Sequence, residues 1–133
     1  MKLFQTFSII LVLAAFASPV VRAADDDKPT IAPEDAREHV GKEVTVEMTV
    51  EGGKKISANG PCLLNSMKKF SDPKCLTLAI LASGLAKYKE IGVEDPSVTL
   101  KGKKVRVTGK VQDHNGNLQI EVERWDQVQE IPQ

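Results

Sequence analysis

The chain has 133 residues, with 18 basic and 18 acidic side chains and two cysteines. That length admits one domain and excludes a large multidomain enzyme, and no apolar heptad runs long enough for a coiled coil. With 41% hydrophobic residues in regular patterns, the chain is also excluded from the disordered class.

The N-terminus reads as a targeting segment. Lys2 supplies the positive start, and an apolar stretch runs from Phe7 to about Phe16. Val21-Arg22-Ala23 then places compact residues at the two positions that direct cleavage. Residues 1–23 are therefore expected to be a signal peptide, with Ala15-Phe16-Ala17 as the second candidate site. As a membrane anchor the run is short for ~30 Å of hydrocarbon, and Ser18 and Pro19 break it. The mature chain is expected to be exported, periplasmic or secreted, with no membrane span after signal cleavage. It keeps 16 basic and 18 acidic side chains. Residues 24–30, with Asp25 to Asp27 in a row, read as an acidic flexible tether.

From Ala32 to Val40 the chain predicts a short helix, with Pro33, Glu34 and Asp35 suited to its first turn and Gly41 to its stop. Val44, Val46, Met48 and Val50 alternate with polar residues, the period of a half-buried strand. Gly52-Gly53-Lys54-Lys55 turns or bends the chain, and Asn59-Gly60-Pro61 turns it again. Cys62 to Asn65 reads as a short strand and Ser66 to Lys74 as a polar loop. Leu76, Leu78 and Ile80 alternate in a further strand, whose second face carries Ala79 and Leu81. The next segment is expected to cover that face as a helix from Gly84 to about Glu90, capped by Ser83 and ended by Gly92. Val93 to Leu100 is then a connector.

The last part carries the clearest signal. Val105, Val107 and Val111 alternate with polar residues, Asn115-Gly116 is a two-residue type I′ turn, and Leu118, Ile120 and Val122 alternate after it. A two-residue loop places Val111 opposite Ile120 and Gly109 opposite Val122. Gly109 in mid-strand implies a sharp bend. A short closing strand is expected through Val128 and Ile131.

A short helix, three strands, a helix and two strands is the order of an all-β, five-stranded OB-fold barrel. It has a short N-terminal helix and one helix between strands 3 and 4, the latter plugging a barrel end. The segments IAPEDAREHVGKEVTVEMTV, LLNSMKKFSDPKCLTLAILASGLAKY, LKGKKVRVTGKVQDHNGNLQIEV and DQVQEI resemble small exported bacterial OB-fold domains of the nucleic-acid-binding-like type. The resemblance covers residues 31–131 and implies that fold together with a binding role. It does not imply one ligand, because OB folds host many.

Cys62 and Cys75 are 13 residues apart and flank an expected hairpin loop, and in an exported chain such a pair is expected to form a disulfide. The alternative is two free thiols buried in strands. His39 and His114 are isolated, so no metal, and no other cofactor, is expected.

Residues 52–111 hold 12 basic and 4 acidic side chains, whereas the flanking mature segments are acidic. OB folds bind across strands 2 and 3 and the loops that flank them. The candidate ligand-binding residues are therefore Lys54, Lys55, Lys68, Lys69, Phe70, Lys74, Lys104 and Arg106. The competing reading is a solvated face in which lysines oppose Glu47 and Glu51 as ordinary cross-strand pairs. Aromatic platforms are scarce: Phe70 is the plausible one, while Tyr88 and Trp125 read as packing residues. No serine, histidine or carboxylate stands in a catalytic motif, so no enzyme activity is expected. The expected function is an exported non-enzymatic binding module for single-stranded nucleic acid or another polyanion, bound weakly. The alternative is a protein-interaction or envelope-maintenance module that binds an envelope protein and no nucleic acid.

Overall fold

Alternating apolar residues become strands in the computed structural model, which describes residues 28–132. The expected signal peptide and most of the acidic tether lie outside the described residues. Thr30, expected in that tether, instead belongs to β1 (Thr30–Ile31), which runs parallel to β2 (Glu43–Thr49). A 3-10 helix, Pro33–His39, joins them and buries Ala36 in the core.

The remaining strands are β3 (Gly52–Lys55), β4 (Cys62–Asn65), β5 (Leu76–Ile80), β6 (Lys104–His114), β7 (Asn117–Val122) and β8 (Val128–Glu130). Two helices, α1 (Ala82–Glu90) and α2 (Pro96–Thr99), lie between β5 and β6. The architecture is mostly β. Eight strands replace the expected five. Val50 and Glu51 interrupt the first long strand, and their amides bond the carbonyls of Lys103 and Asn65, on opposite sides of the break. The short β1 and β8 add at the margins. Hydrogen-bonded order is β1-β2-β6-β7-β5-β4-β3, with β8 also on β6, so the pairing is open rather than a closed barrel.

The hairpin has the expected register, Val111 opposite Ile120, and Asn115 and Gly116 both take positive φ, as a type I′ turn requires. The expected Gly109–Val122 pair is absent from the ladder: β6 pairs with β7 from Val111 to His114, but with β2 from Lys104 to Lys110. Gly109 lies at this change of partner, opposite Val44. There a Cβ would sit 2.5 Å from Ile120 Cγ2, so the close approach of the two strands needs a glycine.

The core fills from the inward faces. Val44, Val46, Leu64, Leu76, Leu78, Ile80, Val105, Val107 and Ile120 are all fully buried. Burying side chains of this size contributes roughly 1.5–3 kcal/mol each. Helix α1 packs on this inner side and not on the outer face of β5. Gly84 lies against Ile80, and Leu85 and Tyr88 join the core. The outer face of β5 carries Thr77 and Ala79, and both are buried between their register partners on β4 and β7. Ser83 does not cap α1. The N-cap is Leu81, and the Ser83 hydroxyl donates to the Glu123 carbonyl at 2.7 Å. Trp125 packs edge-on against Tyr88, with centroids 6.3 Å apart.

Cys62 and Cys75 are both buried and free, so the expected disulfide is not formed. The register explains why. Cys62 stands opposite Ile80, and Cys75 precedes Ile80 by five residues, so the two lie at opposite ends of the β4–β5 ladder. At ~3.3 Å per strand residue they are separated by about 16 Å, against a bridging limit near 7 Å between Cα atoms.

Candidate binding face

The loop between β4 and β5 is rigidified by its own backbone. Ser66 exchanges bonds with Leu76, its amide donating at 3.0 Å and its hydroxyl accepting at 2.9 Å. The Asp72 carboxylate accepts from the Lys74 amide at 2.8 Å, an Asx turn. The loop thereby holds Lys68, Lys69, Phe70 and Lys74 in solvent. The β6–β7 turn is set similarly, with the Asp113 carboxylate accepting from the Gly116 amide at 2.7 Å.

Two grooves flank the β4–β5 loop. The smaller, about 320 Å³, lies over the outer faces of β4, β5 and β7. Leu63, Asn65, Thr77 and Gln119 line it, together with Lys54, Ile56, Phe70, His114 and Asn117. No carboxylate is among those residues. The Thr77 hydroxyl donates to Asn65 Oδ1 at 2.8 Å, which fixes two of the polar groups. Phe70 is 61% exposed and Ile56 51%, so the groove presents apolar surface to water. The larger groove, about 720 Å³, is lined by Lys68, Lys69, Lys74 and Lys104, but also by Glu34, Glu47 and Glu51.

The structure thus divides the residues singled out from sequence. Lys54 and Phe70 meet in the smaller groove, and Lys68, Lys69, Lys74 and Lys104 meet in the larger. Among the described residues none of these lysines forms an ion pair. Arg106 joins neither groove. It stands opposite Glu47 in the β2–β6 register, and its Nε and Nη2 donate to Glu47 Oε2 at 2.9 and 2.6 Å. That is a cross-strand pair on a solvated face. Lys55 also turns away, its Nζ donating to the Glu94 carbonyl at 3.0 Å.

Sequence reasoning missed the groove floor. Leu63, Asn65, Thr77 and Gln119 are outward positions of three strands; alternation marks Thr77 and Gln119 as outward, but the apolar run Cys62-Leu63-Leu64 hides Leu63, and no pattern shows that the three faces adjoin. His114 and Asn117 flank the turn that the sequence located, but their side of the groove depends on β5 pairing parallel with β7.

Three ionisable groups away from the grooves are shifted by their surroundings. Burial pushes the Cys62 thiol up to about 11 and the Tyr88 hydroxyl up to about 12. The hydroxyl of Ser97, donating to Asp95 at 2.6 Å, holds the Asp95 carboxyl below its ordinary value. Among the described residues no group of three or more His, Cys, Asp or Glu could hold a metal ion, and no helix is long and apolar enough to cross a membrane.

No family model matches the chain, and no curated protein matches it. Among solved structures it is similar to a Leishmania major Friedlin protein assigned as an aspartyl-tRNA synthetase, at 11% identity and a TM-score of 0.48. That alignment covers 88% of this chain and 26% of the other, so the chain spans about a quarter of that protein. It is also similar to the hypothetical protein ygiW from E. coli, at 16% identity and a TM-score of 0.45, over 78% of this chain and 96% of that one.

Proposed function

We propose that the chain is an exported, non-enzymatic OB-type module that binds a flexible anionic chain, single-stranded nucleic acid or a similar polyanion, weakly. Export rests on the leader-like residues 1–23. The OB reading rests on connectivity. Taking β2 and β3 as halves of one bent strand, and setting aside the short marginal β1 and β8, leaves five strands, with α1 after the third and a parallel pairing of the third with the fifth. The covalent link between β2 and β3 then connects the two ends of this open pairing, the connectivity of an OB fold.

Phe70 carries the ligand reading. A largely exposed aromatic ring stands at a groove lined by Lys54 and His114 and by no carboxylate. Such a ring is a stacking surface for any base, and ammonium groups on either side of its loop attract phosphates. One ring is a small platform, which is why the binding is weak.

The test is titration of a labelled single-stranded oligonucleotide at low and at physiological salt. Affinity is expected to fall with salt, by a slope of ~0.7 per phosphate contacted. Phe70→Ala should cost ~1–3 kcal/mol of binding at unchanged fold stability. Lys68→Glu with Lys69→Glu should abolish binding. Arg106→Gln should leave the slope unchanged, since Glu47 already neutralises Arg106. Absence of binding at low salt would overturn the reading.

The mixed lining of the larger groove favours a second reading, a protein-interaction or envelope-maintenance module. Four lysines and three glutamates suit a mixed-charge protein surface better than a uniform polyanion. That reading predicts no oligonucleotide binding at any salt, and association with one envelope protein.

A further inference from the structure

Phe70, in the β4–β5 loop, and His114, the last residue of β6 before its turn, line one groove from places far apart in the chain. Each loop closes on itself, the first through Asp72 and the second through Asp113. Those local bonds shape each loop but do not tie one to the other.

One side chain reaches both. Arg37 Nη2 donates to the Pro73 carbonyl at 3.1 Å and to the Gly116 carbonyl at 3.2 Å. A guanidinium nitrogen carries two hydrogens in one plane, so it can serve two acceptors at once from a fixed fork. The base of that fork is also fixed. Arg37 follows Ala36, the residue that buries the 3-10 helix in the core. Among the described residues no other side-chain hydrogen bond joins the two loops. Arg37 itself lines neither groove.

We propose that Arg37 is the positioning residue of the binding face. It clamps the β4–β5 loop to the β6–β7 turn and thereby sets the separation of Phe70 and His114 across the groove. The clamp deepens the binding reading and rests on it for the ligand, but its mechanical part is measurable with no ligand present.

The test is amide hydrogen exchange on the full chain and on Arg37→Ala and Arg37→Lys, followed by oligonucleotide titration of all three. In Arg37→Ala, the bonded amides of Asp72, Lys74, Cys75 and Gly116 are expected to exchange about five-fold faster, the equivalent of one lost hydrogen bond. The β2 and β6 amides should not change. Oligonucleotide affinity should fall by a similar factor with the salt slope unchanged. Arg37→Lys, which keeps the charge but loses the planar fork, should lie between parent and Arg37→Ala on both readouts. Unchanged exchange in both loops would overturn the clamp. So would an affinity loss accompanied by a salt slope lower by ~0.7, because Arg37 would then be contacting a phosphate itself. Faster exchange in a chain whose parent binds no oligonucleotide would sustain the clamp and remove the ligand reading.

Discussion

Gly109 shows how much one missing methyl can decide. At its position β6 leaves β7 for β2, and a side chain there would collide with Ile120 Cγ2 at 2.5 Å. Gly109→Ala is expected to destabilise the fold by about 1–3 kcal/mol, the usual cost of overpacking a filled core. Denaturant unfolding checks this, as a lowered midpoint at constant slope. A midpoint equal to the parent's would mean that the strands can part there freely. The special position was legible in the sequence because a glycine interrupted a clean apolar alternation, but its partner was not: Gly109 lies opposite Val44 and not Val122. Arg106 and Lys55 were not legible in the same way. Their charges are plain in the sequence, but Glu47 and the Glu94 carbonyl neutralise or redirect them, and both partners are distant in the chain. Phe70 was legible because only three aromatic residues follow residue 23, and two of those had helical or terminal packing roles.

Among the elements, α2 lies within Val93 to Leu100, the segment expected to be a connector. Its start was written in Asp95-Pro96-Ser97: the Asp95 carboxylate accepts from the Ser97 amide at 3.0 Å, and Pro96 occupies the first helical position. Four residues give no apolar period to detect, so only the cap could have announced the helix. Asp95→Ala should cost about 1 kcal/mol of stability near neutral pH. The Asp95 carboxyl is held below its ordinary value of 3.8, so its contribution is complete above that pH and is lost as pH falls through the lowered value. Urea unfolding at about pH 7 and again at about pH 2.5 should therefore show the parent–variant gap closing in acid. A gap that persists in acid would mean the carboxylate is not the group responsible. The β6–β7 hairpin was the reverse case. Turn residues and alternation agreed, and the observed register followed.

Over the whole molecule, the two thiols separate what spacing suggests from what topology allows. Thirteen residues of chain looked like a hairpin-sized loop, yet the β4–β5 register carries Cys62 and Cys75 to opposite ends of one ladder. Both should resist a thiol reagent in the native state and react together on unfolding, and the melting temperature should be equal with and without reductant. A reductant-sensitive melting temperature would show a bridge in the protein. Burial reinforces the resistance, since a Cys62 thiol raised to about 11 supplies almost no nucleophilic thiolate at neutral pH. The basic middle of the chain was likewise visible as a count, but not its division into two grooves and a paired strand face. The wiring of the sheet also governs when the molecule can take shape. β2 is synthesised early, yet its ladder is β6; β5 waits for β7. A nascent chain lacking its last third has only the β1–β2 pair and the β3–β4–β5 meander, two pieces with no ladder between them. Joining them waits for β6 and β7, the distant pairings that slow folding. Under the proposed export this order of events favours passage through a narrow conduit, because the two pieces stay unjoined until the last strands have arrived.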